Sequence, residues 1–171
     1  ADIEETVKEC VTGALSFNGQ RCTALKIIFV HEQIIEPFLE KFSDGVEKLK
    51  IGMPWEEGVD ITPLPEPNKS AYFTELINDA VLHGAKVINP GGGLFNKSCF
   101  FPTILFNVND KMRIYREEQF GPVVPIVSYK DIEEPLDYVI NSNYGQQASI
   151  FGKDAEQIAT LIDTLVNQVS R

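Results

Sequence analysis

Leu25-Lys26-Ile27-Ile28-Phe29-Val30, followed closely by Ile34 to Leu49, is the stretch that decides the fold. The first run is apolar and β-branched, the pattern of a buried strand. The second returns apolar residues at helical spacing with charges between them, so the pair reads as strand then helix. Upstream, Ile3, Val7, Val11, Ala14 and Leu15 also recur at helical spacing, and the pattern dissolves at Asn18-Gly19. A helix already under way at Asp2 is therefore expected to deliver the chain to Cys22. Downstream, Gly52 to Asn68 carries Pro54, Pro63, Pro65 and Pro67, which remove amide donors and fix φ, so a long surface loop is expected. Ser70 is expected to cap a helix running to about His83, with a short strand from Lys86 to Asn89 before Gly91-Gly92-Gly93. Cys99 to Val108, Val123 to Tyr129 and Ala148 to Gly152 read as strands, and Asp131 to Asn141 and Glu156 to Val169 as helices. This alternation predicts an α/β fold built on a doubly wound, mostly parallel open sheet, with ligand residues in loops at the strand ends.

Composition narrows the function classes. At 171 residues the chain is near the usual size of one domain, and a single domain over 1–171 is expected. A hydrophobic content of 43% suits a globular protein, and no apolar run approaches the ~20 residues of a membrane span. Fifteen Lys and Arg against 25 Asp and Glu give a net charge of −10, which repels phosphate backbones and anionic lipid surfaces. Neither nucleic acid nor membrane is an expected partner. Cys10, Cys22 and Cys99 are an odd number without a CxxC pair, which suggests no disulfide framework, no metal site and a reducing cytoplasm. Ala1 to Cys10 is acidic and lacks the hydrophobic stretch of a signal peptide. With no initiator Met, the chain is expected to begin inside a longer protein, and Arg171 to be an arbitrary end.

Two clusters can carry chemistry. Phe17-Asn18-Gly19-Gln20-Arg21-Cys22-Thr23-Ala24 places a thiol in a glycine-containing turn between a helix and a buried strand. Neighbouring backbone N–H groups and the Arg21 cation favour a reactive thiolate there, while the competing reading makes Cys22 a small apolar filler. Cys10, mid-helix, and Cys99, in a strand, read as packing residues. In Arg116-Glu117-Glu118-Gln119-Phe120-Gly121-Pro122, carboxylates on a loop suit sugar hydroxyls and the aromatic suits a flat ring, although from the residues alone a solvated acidic turn is the favoured reading. Gly91 to Ser98 falls one residue short of the phosphate-binding pattern GxxxxGK[ST], with Asn96 where glycine belongs. The aromatic, proline-interrupted run after it opens no helix toward a phosphate, so that reading is disfavoured. His31 and His83 lack metal-ligand spacing and read as surface or helix-terminal residues.

In combination these segments resemble the aldehyde dehydrogenase superfamily along nearly the whole chain. Its cysteine signature is seen in Asn18 to Cys22 and its Glu-Glu-x-Phe-Gly-Pro signature in Glu117 to Pro122. Phe101-Pro102-Thr103, Asn143-Tyr144-Gly145 and Ile150 to Asp154 are similar to later family segments in the right order. The wording is most similar to the non-phosphorylating NADP-dependent glyceraldehyde-3-phosphate dehydrogenases of that superfamily. The resemblance implies Cys22 as catalytic nucleophile and Glu118 and Phe120 as binders of NADP or NAD. It implies Arg21, with Thr23, on a small aldehyde carrying a phosphate, and no metal. It also implies a homo-oligomer for a full-length enzyme. The superfamily's general-base glutamate, oxyanion-hole asparagine and cofactor-binding domain lie upstream of the cysteine and have no match here, so the isolated chain is expected to turn over negligibly. The alternatives are a non-catalytic α/β binding or assembly module and an aldehyde dehydrogenase for a different aldehyde.

Overall fold

Asp2 starts the first helix by supplying what a free helix end lacks. Its carboxylate accepts from the Glu4 N–H at 2.9 Å and the Glu5 N–H at 3.1 Å, satisfying two of the orphaned donors of helix α1, Ile3–Leu15. The computed structural model describes residues 2–166. Within it α1 begins at Asp2 rather than being already under way there. The helix buries Val7, Cys10, Val11, Ala14 and Leu15. That stripe packs on helix α2, Ile35–Glu47, which buries Phe38, Leu39, Phe42 and Val46 along the same 3.6-residue period.

Both helices cover one face of a four-stranded sheet. Its members are β1 (Ile28–His31), β2 (Lys86–Val87), β5 (Thr103–Phe106) and β6 (Val123–Tyr129), in the order β1-β6-β5-β2. β6 runs parallel to both of its neighbours, while β2 adds antiparallel to β5. The two-residue period of a strand divides the side chains between faces. Ile104, Val124 and Ile126 join the cluster under α1 and α2. Leu105 and Val123 join a second cluster under helix α3, Lys69–Leu82, with Phe73, Ile77 and Met112. The sheet is thus mostly parallel and covered on both faces, the α/β architecture expected. Phe42 and Phe73 have no exposed surface, so each contributes about 1.5–3 kcal/mol of burial. A short helix α4 (Arg113–Arg116), then α5 (Glu133–Asn141) and α6 (Ala155–Val166), complete the elements, with a hairpin of β3 (Phe95–Asn96) and β4 (Cys99–Phe100).

Several expected elements come out differently, each for a local reason. The first strand begins at Ile28, not Leu25, because Leu25 donates to Gly13 O at 3.0 Å and the Lys26 carbonyl accepts from the Gln119 side chain. Ser70 does not cap α3. It lies inside the helix, and its hydroxyl donates to Lys97 O at 3.3 Å. The strand expected over Cys99 to Val108 is divided at Pro102, which lacks a ladder donor, so Cys99–Phe100 pairs in the hairpin and Thr103–Phe106 in the main sheet. Ala148 to Gly152 is not a strand, having no bonded neighbour strand among the described residues. Asn167 to Val169, the end expected for the last helix, lies outside the described residues.

The glycine-rich segment is also settled. Gly92 donates to Asn89 O, Leu94 to Gly91 O and Gly93 to the Thr103 hydroxyl, and Phe95–Asn96 forms a strand of the hairpin. These amides are committed to a turn, so the segment cradles no phosphate. No helix among the described residues is long and apolar enough to cross a membrane.

Candidate active site

The turn bearing Cys22 begins with two residues in the left-handed region, Phe17 at φ 53° and Asn18 at φ 57°, followed by Gly19 at φ 68°. Asparagine tolerates that conformation better than most residues, and here its side chain also has a task. Buried Asn18 donates through Nδ2 to Thr62 O at 3.1 Å and accepts from the Thr62 N–H at 2.9 Å. The proline-rich loop is thereby fastened to the cysteine turn. The chain then turns through Arg21 to Ala24, closed by an Ala24 N–H to Arg21 O bond at 3.1 Å, and presents Cys22 to solvent. Among the described residues the Cys22 N–H donates to no carbonyl.

A second segment meets this turn. A Cβ built on Gly19 would stand 2.6 Å from Gly121 O, so the two backbones are in contact and only glycine fits. Gly121 itself abuts the Cζ end of the Phe73 ring. Between them, the two adjacent carboxylates have different fates. Glu117 accepts from Arg113 Nε at 2.8 Å and from the Tyr72 hydroxyl at 3.3 Å, and the Arg113 bond holds it below the usual carboxylate range. Glu118 points the other way, with Oε1 3.7 Å from Lys26 Nζ. Phe120, at φ 50°, sets its half-buried ring under the same ammonium at 4.5 Å. Gln119 is buried and donates to Lys26 O at 3.0 Å and Val123 O at 2.7 Å, pinning the segment to β6.

Of the residues expected from the sequence, Cys22, Arg21, Glu118 and Phe120 lie on these two touching segments. Arg21 is exposed, its guanidinium 5.2 Å above the Phe17 ring. Thr23 lies in the same turn as Arg21 and Cys22. It borders a cleft of about 200 Å³ lined also by Gly13, Leu25, Ser149 and Phe151. A larger cleft of about 400 Å³ runs between α1 and α2 and is lined by none of these residues. Lys26 was not singled out by the sequence, although a lysine inside an otherwise apolar run was the available signal. Burial lowers its pKa, opposed by the Glu118 carboxylate. Cys10 is the contrasting thiol, pushed up to about 11 by burial in the α1–α2 core. Among the described residues no group of three His, Cys, Asp or Glu gathers as a metal site.

An arrangement of an exposed thiol, a free amide donor beside it and a neighbouring acceptor carboxylate and ring suits nucleophilic attack on a carbonyl next to a hydroxylated, flat-ringed ligand. The aldehyde dehydrogenase family model matches residues 1–168. The chain is 39% identical over 154 residues to an NADP-dependent glyceraldehyde-3-phosphate dehydrogenase of Streptococcus equinus, covering 88% of this chain and 31% of that protein. It is 36% identical over 156 residues to a 3-sulfolactaldehyde dehydrogenase of Priestia aryabhattai, covering 91% and 32%. The crystal structure of NADP-dependent glyceraldehyde-3-phosphate dehydrogenase from Bacillus halodurans C-125 complexed with NADP superposes with a TM-score of 0.93 at 37% identity, over 100% of this chain and 35% of that one. The chain spans about a third of the length of these relatives.

Proposed function

This chain belongs to the aldehyde dehydrogenase family, and from that premise we propose that it is the cysteine-bearing part of an NAD(P)-dependent enzyme that oxidises a small aldehyde to an acid. The observation that carries the reading is the close approach of Gly19, in the Cys22 turn, to Gly121, which follows Glu118–Phe120 in the chain. Cys22 Sγ attacks the aldehyde carbon, and the oxygen, becoming an oxyanion, faces the unengaged Cys22 N–H. Bound NAD(P)⁺ would supply the acceptor for the hydride lost from the substrate carbon, leaving a thioester on Cys22 for water to hydrolyse. The residues present fit that cofactor. Glu118 keeps Oε2 without a partner among the described residues, free to accept from ribose hydroxyls, and Phe120 offers a half-buried ring beside it.

The relatives named for glyceraldehyde 3-phosphate and for 3-sulfolactaldehyde share a feature, a short aldehyde ending in a tetrahedral anion. The exposed Arg21 guanidinium, one residue from the nucleophile, suits such a head group, and we assign the substrate class to it, glyceraldehyde 3-phosphate first. Thr23 is assigned to the same substrate, and three free thiols suit a reducing compartment such as the cytoplasm. Because this chain supplies the nucleophile and only part of the cofactor contact, its own turnover is expected to be negligible, and the test is covalent capture. Glyceraldehyde 3-phosphate is expected to protect Cys22 from iodoacetamide at about tenfold lower concentration than glyceraldehyde, the worth of one charge-assisted contact. Arg21→Gln is expected to erase that preference while leaving protection by glyceraldehyde intact. Absence of protection by either aldehyde would count against the function, and an unchanged preference in Arg21→Gln against the substrate class alone.

A further inference from the structure

Lys26 makes more contacts across the site than any residue expected to react. Its ammonium donates to Gly19 O at 3.1 Å, at the entry to the Cys22 turn. The same nitrogen lies 3.7 Å from Glu118 Oε1 and 4.5 Å from the centroid of the Phe120 ring. Its backbone carbonyl is held by the buried Gln119 amide at 3.0 Å. The side chain is 18% exposed, so it is held by neighbours on most sides rather than sampling solvent. Four ties therefore converge on a residue that begins on the cysteine side and ends on the carboxylate side.

Resting on the function proposed above, we propose that Lys26 is the positioning residue of this site, a single cation that fixes the Cys22 turn and the Glu118–Phe120 segment at one mutual distance. Three acceptors of different kinds explain why a lysine suits the place. A compact ammonium with three donors can serve a carbonyl, a carboxylate and a ring face at once, whereas an apolar residue of equal length would leave Gly19 O and Glu118 unpaired. Glu118 is in turn held by one oxygen only, which orients the other outward to a ligand. The cation also offers favourable charge to an anion formed at Cys22, and Glu118 opposes it.

The test uses the 171-residue chain and compares alkylation of Cys22 by anionic iodoacetate and neutral iodoacetamide, read by peptide mass spectrometry. Lys26→Met is expected to lower the iodoacetate-to-iodoacetamide rate ratio about threefold, and Lys26→Arg to restore most of it. Glu118→Gln is expected to raise the ratio, and because that carboxylate is part exposed the variant keeps the test valid should Lys26→Met fold poorly. Amide hydrogen exchange should rise in Lys26→Met in both segments, Gln20 to Ala24 and Glu118 to Val123, and together. A ratio unmoved by Lys26→Met and by Glu118→Gln, or exchange rising in one segment only, overturns the positioning role while leaving Cys22 as nucleophile. A wild-type Cys22 no faster than Cys99 would overturn the function beneath it.

Discussion

Gly19→Ala is expected to lower the thermal midpoint by about 10 °C and to abolish the selective reactivity of Cys22. At φ 68° an alanine is strained before any contact is considered, by about 1–3 kcal/mol. Its Cβ would then meet Gly121 O at 2.6 Å and Ala14 O at 2.8 Å. Both are backbone oxygens of packed elements, so neither can swing aside as a flexible side chain would. Overpacking of this kind adds about 1–3 kcal/mol, so the two together come to about 4 kcal/mol, a large fraction of a typical domain's 5–15 kcal/mol. For a chain of this size each kcal/mol moves the midpoint by about 2–4 °C. Gly19 also supplies the carbonyl that Lys26 holds, so relief by moving the turn would carry Cys22 away from Glu118. Calorimetry reads the first effect and cysteine labelling the second. A variant with wild-type melting would show that the close approach of the two segments does not exist.

The second large effect is at Gly121. An alanine Cβ there would sit 1.8 Å from Phe73 Cζ and 2.6 Å from both Cε atoms. Phe73 has no exposed surface and packs edge-on to Phe100 at 5.1 Å between ring centroids, so it has nowhere to go. Overpacking of this kind costs about 3 kcal/mol. The cause is testable through its partner: Phe73→Leu removes the ring the new methyl strikes. Urea unfolding of the double variant Gly121→Ala with Phe73→Leu should give a loss about 1 kcal/mol or more smaller than the sum of the two single losses. Strict additivity would place the damage somewhere other than this contact.

The elements legible in the sequence were those whose pattern and neighbours agreed. Val123–Tyr129 forms a strand over the bounds expected because it is central and paired on both sides. Helices α2 and α3 follow their apolar spacing to within a residue or two. What failed was set by distant partners that no local pattern records. Leu25 and Lys26 look like strand, yet the Leu25 N–H is taken by Gly13 and the Lys26 carbonyl by Gln119. Ser70 looks like a cap, yet its hydroxyl serves the hairpin turn at Lys97. Ala148 to Gly152 has strand composition and no strand beside it among the described residues.

The site divides in the same way. Cys22 and its turn were legible because asparagine and glycine announce the left-handed backbone that exposes the thiol. The choice of Glu118 over Glu117 came from resemblance; no local pattern tells that Arg113 and Tyr72 take up the first carboxylate. Lys26 went unread because its contacts are with Gly19 and Glu118, which approach it only in the folded chain. Asn18 was seen as part of a motif, while its hold on Thr62 of the proline-rich loop was not.

Iodoacetamide labelling of the three cysteines across pH, followed by peptide mass spectrometry, tests Cys22 as the nucleophile most directly. Cys22 is expected to react at least about tenfold faster than Cys99 near neutral pH. Cys10, buried and pushed up to about 11, is expected to stay unlabelled until the solution is strongly alkaline. Equal rates at Cys22 and Cys99, or labelling of Cys10 first, would contradict the assignment of Cys22 as the residue that attacks the aldehyde.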